Sequence, residues 1–575
     1  MSRDDDLTPR PGRIRDKSFV GQVMRAAKKA GHTGRRFGGS SRRGSGSRFG
    51  RGRRAALAAS LRSHSRRVVI SARVVRQKGT RFRSASLTNH LSYLRRDGVT
   101  RDGKDAAMFD QQSDRADEKD FAERVASDRH HFRFIVSPED AKKMDDLRSF
   151  TRELMRDAER DLDTKLDWIA VDHWNTDNPH IHVLVRGKAD DGQDLVISRD
   201  YISHGFRARA AERVTLELGP RSESEVRTAL EAEVEAERWT GLDRALRAAA
   251  DEGAGVADLR PVASEEDGNL RLLMVGRAAK LERLGLAEQI APGQWIFKPR
   301  VEETLRELSI RGDIIKTMHR AMSGRAREAE VSAFALHMDK PADPILGRLV
   351  ERGLHDELKG TAYVIIEGVD GRTHHVRFAN LDATGDASPG AIVETRRYED
   401  AKGKRQLSLT VRSDLGLESQ IHAGGATWLD RRLLDENALA SNAGFGGEVT
   451  AAMERRADHL VSEGFARRTG GRVTFARGLL AALRERELAE VADQITAETG
   501  LKYRSAAEGG SVAGTYRQRL SLASGRFVMI DDGLGFQLVP WRPALEPHFE
   551  RHVSGTITPG GGVEWSLGRR RGLTL

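Results

Sequence analysis

Hydrophobic and polar positions recur with different periods along the chain. In "RRVVISARVVR", residues 66–76, Val and Ile crowd a short run, which predicts a β-strand. In "SASLTNHLSYLRRDG", Leu87, Leu91 and Leu94 fall on one helical face, and the run predicts a short helix ending at Gly98. Residues 99–128 are polar and predict a loop with a short helix. "HHFRFIVS" predicts a second strand. Ser137-Pro138-Glu139-Asp140 reads as a helix start, because Pro is tolerated and acids are favoured in a first turn. Met144, Leu147, Leu154, Ala158 and Leu162 then recur at helical spacing. "LDWIAVDHW" predicts a third strand, "NTDNP" a turn and "HIHVLVRG" a fourth. Strands with intervening helices and one hairpin predict an α+β domain over residues 66–220.

From residue 221 the chain becomes Ala/Glu/Arg-rich and reads as helix, with an internal repeat. Residues 277–308 resemble residues 455–488: Leu281 and Leu460 precede Gly285 and Gly464, Ala287 and Ala466 follow, and Phe297 and Phe475 precede Leu305 and Leu483. The pattern is helix, short hairpin, helix, as a winged helix would show. A weaker echo follows each copy, residues 360–378 and 514–532, both reading as hairpins of a small β-barrel.

The 575 residues suggest three or four domains, and 38% hydrophobic content is enough for their cores. With no cysteine, disulfides and thiolate metal sites are excluded, so any metal must be held by His, Asp or Glu. No apolar run approaches the ~20 residues of a spanning helix, and no signal-peptide core is visible, which points to the cytoplasm. The net charge of +11 is uneven: residues 1–67 hold 19 Lys/Arg against 4 Asp/Glu. "RRFGGSSRRGSGSRFGRGRR" in that tail is too polar and Gly/Ser-rich to bury a core and predicts disorder. Its Arg42, Arg43, Arg53 and Arg54 are candidates for holding DNA phosphates.

The sharpest chemistry lies in "DHWNTDNPHIHVLVRG". His180 and His182 are two apart on a strand, so both leave one face, while Ile181, Val183 and Val185 take the other. His173 ends the preceding strand, and the Pro-containing turn can bring it beside them. Three converging imidazoles make an open metal site that can accept phosphate oxygens. His130, His131, His374 and His375 lack such a context and read as structural or surface groups. Tyr93 lies roughly 120° from the centre of the leucine face of its helix, free to project toward a site. Arg95 and Arg96 beside it can hold phosphates. A tyrosine has a pKa near 10, so only about one in a thousand is ionised at pH 7, and it needs a base or nearby positive charge to attack.

Together, "HLSYLRRDG", "HHFRFIVSPED" and "DHWNTDNPHIHVLVRG" resemble the MobA/VirD-type conjugative relaxases of the HUH endonuclease superfamily, most closely the relaxase/mobilization nuclease RlxS group. "LVISRDYISHGFRARAAERVTLELGPR", "GFQLVPWRPALEPH" and "GGVEWSLGRRRG" are similar to the same group. The resemblance implies Tyr93 as the nucleophile and His173, His180 and His182 as metal ligands. It offers Asp177 as an activating or orienting acid, with Asp172 as its competitor. It further implies an HUH-type antiparallel sheet with helices on one side, Mg²⁺ or Mn²⁺, and single-stranded or supercoiled DNA at a transfer origin. Accessory relaxosome proteins, a coupling protein and a type IV secretion channel are the implied partners, the last carrying the protein out with the transferred strand.

The domains expected are then a disordered basic tail (1–65), the relaxase nuclease domain (66–220), a helical linker (221–268), a winged-helix-like module (269–320), a small β-barrel-like module (340–415), a second winged-helix-like module (440–495) and a C-terminal β-rich module (510–575). The tail is a departure, since many relatives begin almost directly at the first nuclease strand. A rolling-circle replication initiator would share the chemistry, a winged-helix DNA-binding regulator would need none of it, and a zinc hydrolase would leave the tail unexplained. Tyr201 reads as structural or secondary, and Trp174 as a core residue or a platform for a DNA base.

Overall fold

The structure is a computed structural model. It describes residues 64–76, 87, 90–91, 94–95, 101, 106–174, 178–198, 200–261, 268–323, 331–338, 340–400, 403–435, 440–505, 509–559 and 561–566. It is a mixed α+β chain of two compact units, one built on residues 94–304 and one on residues 305–575.

The first unit contains the four expected strands, β1 (Val68–Arg76), β2 (His130–Pro138), β3 (Trp168–His173) and β4 (His180–Arg186). They form one antiparallel sheet in the order β1-β2-β4-β3. Strict alternation divides it. Phe132, Phe134 and Val136 of β2 and Ile181, Val183 and Val185 of β4 share a core with Leu147, Leu154 and Ala158 of helix α2 (Leu147–Leu162) and Phe206, Ala210 and Val214 of helix α3 (Phe206–Leu218). The other sheet face carries the histidines. A short helix, α1 (Glu118–Ala126), occupies the polar stretch as expected, with Asp117 as its N-cap.

One boundary differs. Helix α2 starts at Leu147, not at Ser137–Asp140, where β2 runs through Pro138 and a 3-10 turn follows at Ala141–Lys143. Asp146 decides the start, because its carboxylate accepts from Arg148 N at 2.8 Å and from Ser149 Oγ at 2.6 Å.

The repeat is real and longer than the sequence suggested. The first copy runs through α4 (Glu223–Glu235), α5 (Gly241–Glu252), β5 (Val256–Asp258), α6 (Gly268–Arg283), the hairpin β6 (Ala287–Ala291) and β7 (Gln294–Phe297), and α7 (Val301–Met322). Six strands follow: β8 (Phe334–His337), β9 (Leu346–Asp356), β10 (Thr361–Gly368), β11 (Thr373–Phe378), β12 (Ile392–Glu399) and β13 (Arg405–Ser413). The second copy runs through α8 (Leu417–His422), α9 (Trp428–Leu433), α10 (Gly444–Ser462), the hairpin β14 (Ala466–Thr469) and β15 (Arg472–Phe475), and α11 (Leu479–Thr499). Its six strands are β16 (Lys502–Tyr503), β17 (Ser511–Leu522), β18 (Gly525–Asp531), β19 (Gly535–Pro540), β20 (His552–Ile557) and β21 (Val563–Trp565). Helices within residues 221–268, expected as a linker, thus belong to the first copy.

The two sheets have the same topology. Their orders are β13-β12-β9-β10-β11-β8 and, read the same way, β21-β20-β17-β18-β19-β16. In each, the first strand joins parallel to the fourth and the rest pair antiparallel. This corrects two expectations. Among the described residues both sheets are open, because their end strands pair on one side only, so they are not small barrels. The hairpin equivalent to residues 511–531 is 346–368, one strand earlier than the echo at 360–378. Alternation recurs in every strand of a meander, so pattern alone does not set which strand matches which.

The same polar device closes the helical part of each copy. Arg277 and Arg456 are wholly buried. Each grips an aspartate with two guanidinium nitrogens, Asp243 at 2.8 and 2.9 Å and Asp430 at 2.8 and 2.9 Å. Each also donates to the carbonyls nine, seven and five residues before that aspartate: Val234, Ala236 and Arg238 in one copy, Ile421, Ala423 and Gly425 in the other. The aspartates complete capping boxes with Thr240 and Thr427. Both long helices then end in the left-handed region at Gly285 and Gly464, where the next residue bonds back to Leu281 O and Leu460 O at 2.8 and 2.9 Å.

Candidate metal centre

Cross-strand register builds the histidine cluster. His173 faces His180 directly in the β3–β4 pair, and His182 faces Val171, two residues from His173 on the same side. The three rings therefore leave one sheet face, with centroids 4.5–5.4 Å apart. One ring nitrogen of each lies within 4.8 Å of the others. His180 Nε2 and His182 Nε2 are 3.2 Å apart. Two nitrogens held about 2.1 Å from one cation sit roughly 3 Å from each other, so this spacing fits a shared ion.

Neighbouring carbonyls set the tautomers. A carbonyl can only accept, so His173 Nε2 donates to Leu94 O at 2.7 Å, which leaves the lone pair on Nδ1. His180 Nδ1 donates to Asn178 O at 3.0 Å, which leaves the lone pair on Nε2. Outer hydrogen bonds of this kind orient ligating imidazoles. His173 is fully buried and His182 nearly so, while His180 is half-buried and opens the site on one side. The residues present fit a divalent metal.

That bond brings the backbone of Leu94 to the site. All three leucines are buried, as their shared face predicts. Tyr93 precedes Leu94 in the chain; Tyr93 itself lies outside the described residues, as do Arg96, Asp177, Arg42, Arg43, Arg53 and Arg54. Arg95 is exposed and pairs with Glu118 at 2.9 Å.

Other candidates fall elsewhere. Asp172 alternates with His173 and points to the opposite face, where it accepts from Arg148 at 3.0 Å and Trp174 Nε1 at 2.7 Å. Trp174 carries the Arg101 guanidinium 5.0 Å from its ring centre. Tyr201 packs on the helix-covered core and donates its hydroxyl to Asp161 at 3.0 Å. Burial and that carboxylate push its pKa well above the usual phenol value, the reverse of what a nucleophile needs. His130 bonds Leu195 O at 2.9 Å, and His374 lies between Asp370 and His337 at 3.0 Å from each, both structural uses.

Sequence reasoning missed Arg133. It shares the histidine-bearing sheet face, opposite Leu184 and so two residues along β4 from His182. It is buried, donates to His131 Nε2 at 3.1 Å and makes no ion pair with a described carboxylate. Burial, with Arg73 nearby, lowers its pKa to about 10, and burial holds His131 near 3. The alternation of His131, Arg133 and Ile135 against Phe132, Phe134 and Val136 was the available signal.

Residues 274–401 and 394–574 match the family described as "Protein of unknown function (DUF3363)". These spans cover just over half of the chain, which belongs to this family. They lie outside the histidine sheet and take in most of both repeat copies. No curated protein matches the chain. Among the described residues no helix is long and apolar enough to cross a membrane.

Proposed function

We propose that this chain is a conjugative relaxase that nicks and rejoins one DNA strand at a transfer origin, with Tyr93 as nucleophile. The observation that carries the reading is the convergence of His173, His180 and His182 on one face of an antiparallel sheet, with His173 bonded to the carbonyl of Leu94, the residue after Tyr93. A cluster of imidazoles with one ring bonded to the residue that follows a tyrosine suits this chemistry. Arg133, on the same sheet face and without an ion pair to a described carboxylate, adds positive charge that suits a polyanionic strand.

In the step proposed, the Tyr93 oxygen attacks the scissile phosphorus and the bond from phosphorus to the 3′ oxygen breaks. The phenolic proton leaves to a base, for which Asp177 is the candidate, and the departing 3′ oxygen gains a proton. One phosphodiester replaces another, so the step is nearly balanced and can run backward to rejoin the strand. A divalent ion held by the three histidines would supply positive charge at the phosphate oxygens. His173 and His180 are held in ligating tautomers by Leu94 O and Asn178 O, and the apolar opposite face of β4 fixes the strand that carries two of the three rings.

Nitrogen donors suit a first-row transition ion better than Mg²⁺, which prefers oxygen. Mn²⁺ is therefore expected to support nicking at lower concentration than Mg²⁺. The cytoplasm is the proposed site of action, with a coupling protein and relaxosome accessory proteins as partners.

The test is incubation with a supercoiled plasmid carrying the element's own transfer origin, with and without Mn²⁺ or Mg²⁺, followed by a denaturing gel. A metal-dependent protein–DNA adduct that Tyr93→Phe abolishes is the expected result. An adduct that survives Tyr93→Phe would move the nucleophile. DNA binding with neither nicking nor adduct would overturn the enzyme and favour a DNA-binding regulator.

A further inference from the structure

The duplication provides an internal control for surface function. The β14–β15 hairpin of the second copy pairs Ala466 with Phe475, Arg467 with Thr474 and Thr469 with Arg472. Alternation puts Arg467, Thr469, Arg472 and Thr474 on one face, and all four are exposed. Arg467 and Arg472 make no ion pair with a described residue, while Arg468, on the other face, pairs with Asp458. The tip is Gly470-Gly471, with Gly470 at φ 60°, so no side chain shields the backbone there. Residues 464–478 contain four arginines and no acid.

The first copy has the same hairpin fold without that surface. Where Arg467 pairs with Thr474, the β6–β7 hairpin pairs Glu288 with Ile296. The outer edge of β7 is taken by β5, through Ala257 opposite Trp295, whereas no described strand pairs with the outer edge of β15.

We propose that the hairpin Ala466–Phe475 binds the sugar-phosphate backbone of duplex DNA, a role its twin in the first copy does not have. Arginine guanidiniums and threonine hydroxyls are donors suited to phosphate oxygens, and an unshielded glycine tip allows close approach to a groove. The choice of duplex over single strand follows from the same face. Single-strand sites combine charge with aromatic platforms for unstacked bases, and Arg467, Thr469, Arg472 and Thr474 include no aromatic. The assignment goes beyond the nicking reading and does not depend on it.

The test uses the full chain, a short fluorescent duplex of arbitrary sequence and one of its strands alone, titrated across a series of salt concentrations. The double substitution Arg467→Gln with Arg472→Gln is compared with wild type and with Glu288→Gln. The basic tail contributes equally to all three, so the difference reads the hairpin. The double variant is expected to weaken duplex binding and to lower the slope of log affinity against log salt by about 1.8, at roughly 0.9 per phosphate contact. Single-strand binding and the Glu288→Gln protein should behave as wild type. Unchanged duplex affinity and slope in the double variant would overturn the proposal. An equal loss on the single strand would overturn the choice of duplex.

Discussion

The two copies of the repeat match in their buried polar cores and differ on their surfaces. Arg277–Asp243–Thr240 and Arg456–Asp430–Thr427 match bond for bond, down to the carbonyls that the guanidiniums reach. At the hairpins, equivalent positions have reversed in character, Glu288 and Ile296 against Arg467 and Thr474. The six-stranded sheets diverge too: buried His374 and His375 sit in β11 of the first, and β19, the equivalent strand of the second, has no histidine. Burial explains the contrast. A buried charge pair cannot lose one member without leaving the other unpaired, whereas an exposed residue changes at little cost. What the copies share is therefore what the fold needs, and what differs is where separate functions can reside.

The strongest way to break the shared part is to remove one arginine. Arg456→Ala should destabilise the second copy by about 3–5 kcal/mol, because Asp430 stays buried without its counter-charge. Arg277→Ala should do the same to the first, and urea unfolding followed by proteolysis of each half would show which copy opens. Equal loss in both copies from a single substitution would contradict their separate cores. Replacing both partners by apolar residues, as in Arg456→Met with Asp430→Leu, should recover part of the loss.

Acid should separate the copies next. Burial holds the His375 pKa near 3, below the ordinary 6.5, so the folded state keeps this ring neutral where the unfolded chain binds a proton. Stability from this group is complete above about pH 6.5 and falls as pH drops toward 3. The loss amounts to roughly 2 kcal/mol by pH 5, since each unit of separation is worth about 1.4 kcal/mol. Thermal unfolding of the first sheet should show this dependence, and His375→Leu should flatten it. A pH profile unmoved by His375→Leu would place the sensitivity elsewhere.

The smallest expected effect would sharpen the surface comparison. Glu288→Arg with Ile296→Thr gives the first hairpin the chemistry of the second. It should raise duplex affinity and steepen the salt slope by about 0.9 for one added phosphate contact. A fluorescence titration that finds no gain would show that the occupied edge of β7, and not its side chains, keeps that hairpin from DNA.

Much of the histidine sheet was legible. Its four strands and main helix follow from period, and His173, His180 and His182 share a face because a strand alternates. The same rule turns Asp172, the competitor of Asp177 as the activating acid, to the face opposite His173, once β3 is known to pair with β4 in that register. Arg133 was overlooked because a charged residue on a strand normally means solvent. Its burial is set by what covers the face, which no local pattern records. The repeat was visible at its glycines and leucines, but its extent was not. Arg277 and Arg456 lie in a region legible only as Ala/Glu/Arg-rich helix, with no sign of which arginine is buried, and the echo between the two sheets is too weak to align them strand by strand.

By itself, then, the sequence determined the elements, the candidate ligands and the existence of a repeat, because these depend on periods of two and 3.6 residues and on composition. Only the tertiary structure decided that three histidines meet, that Leu94 bonds to one of them, that Tyr201 faces away, and that two arginines hold matching cores. Those outcomes depend on register and burial between segments far apart in the chain, and such distances are not written in any local period.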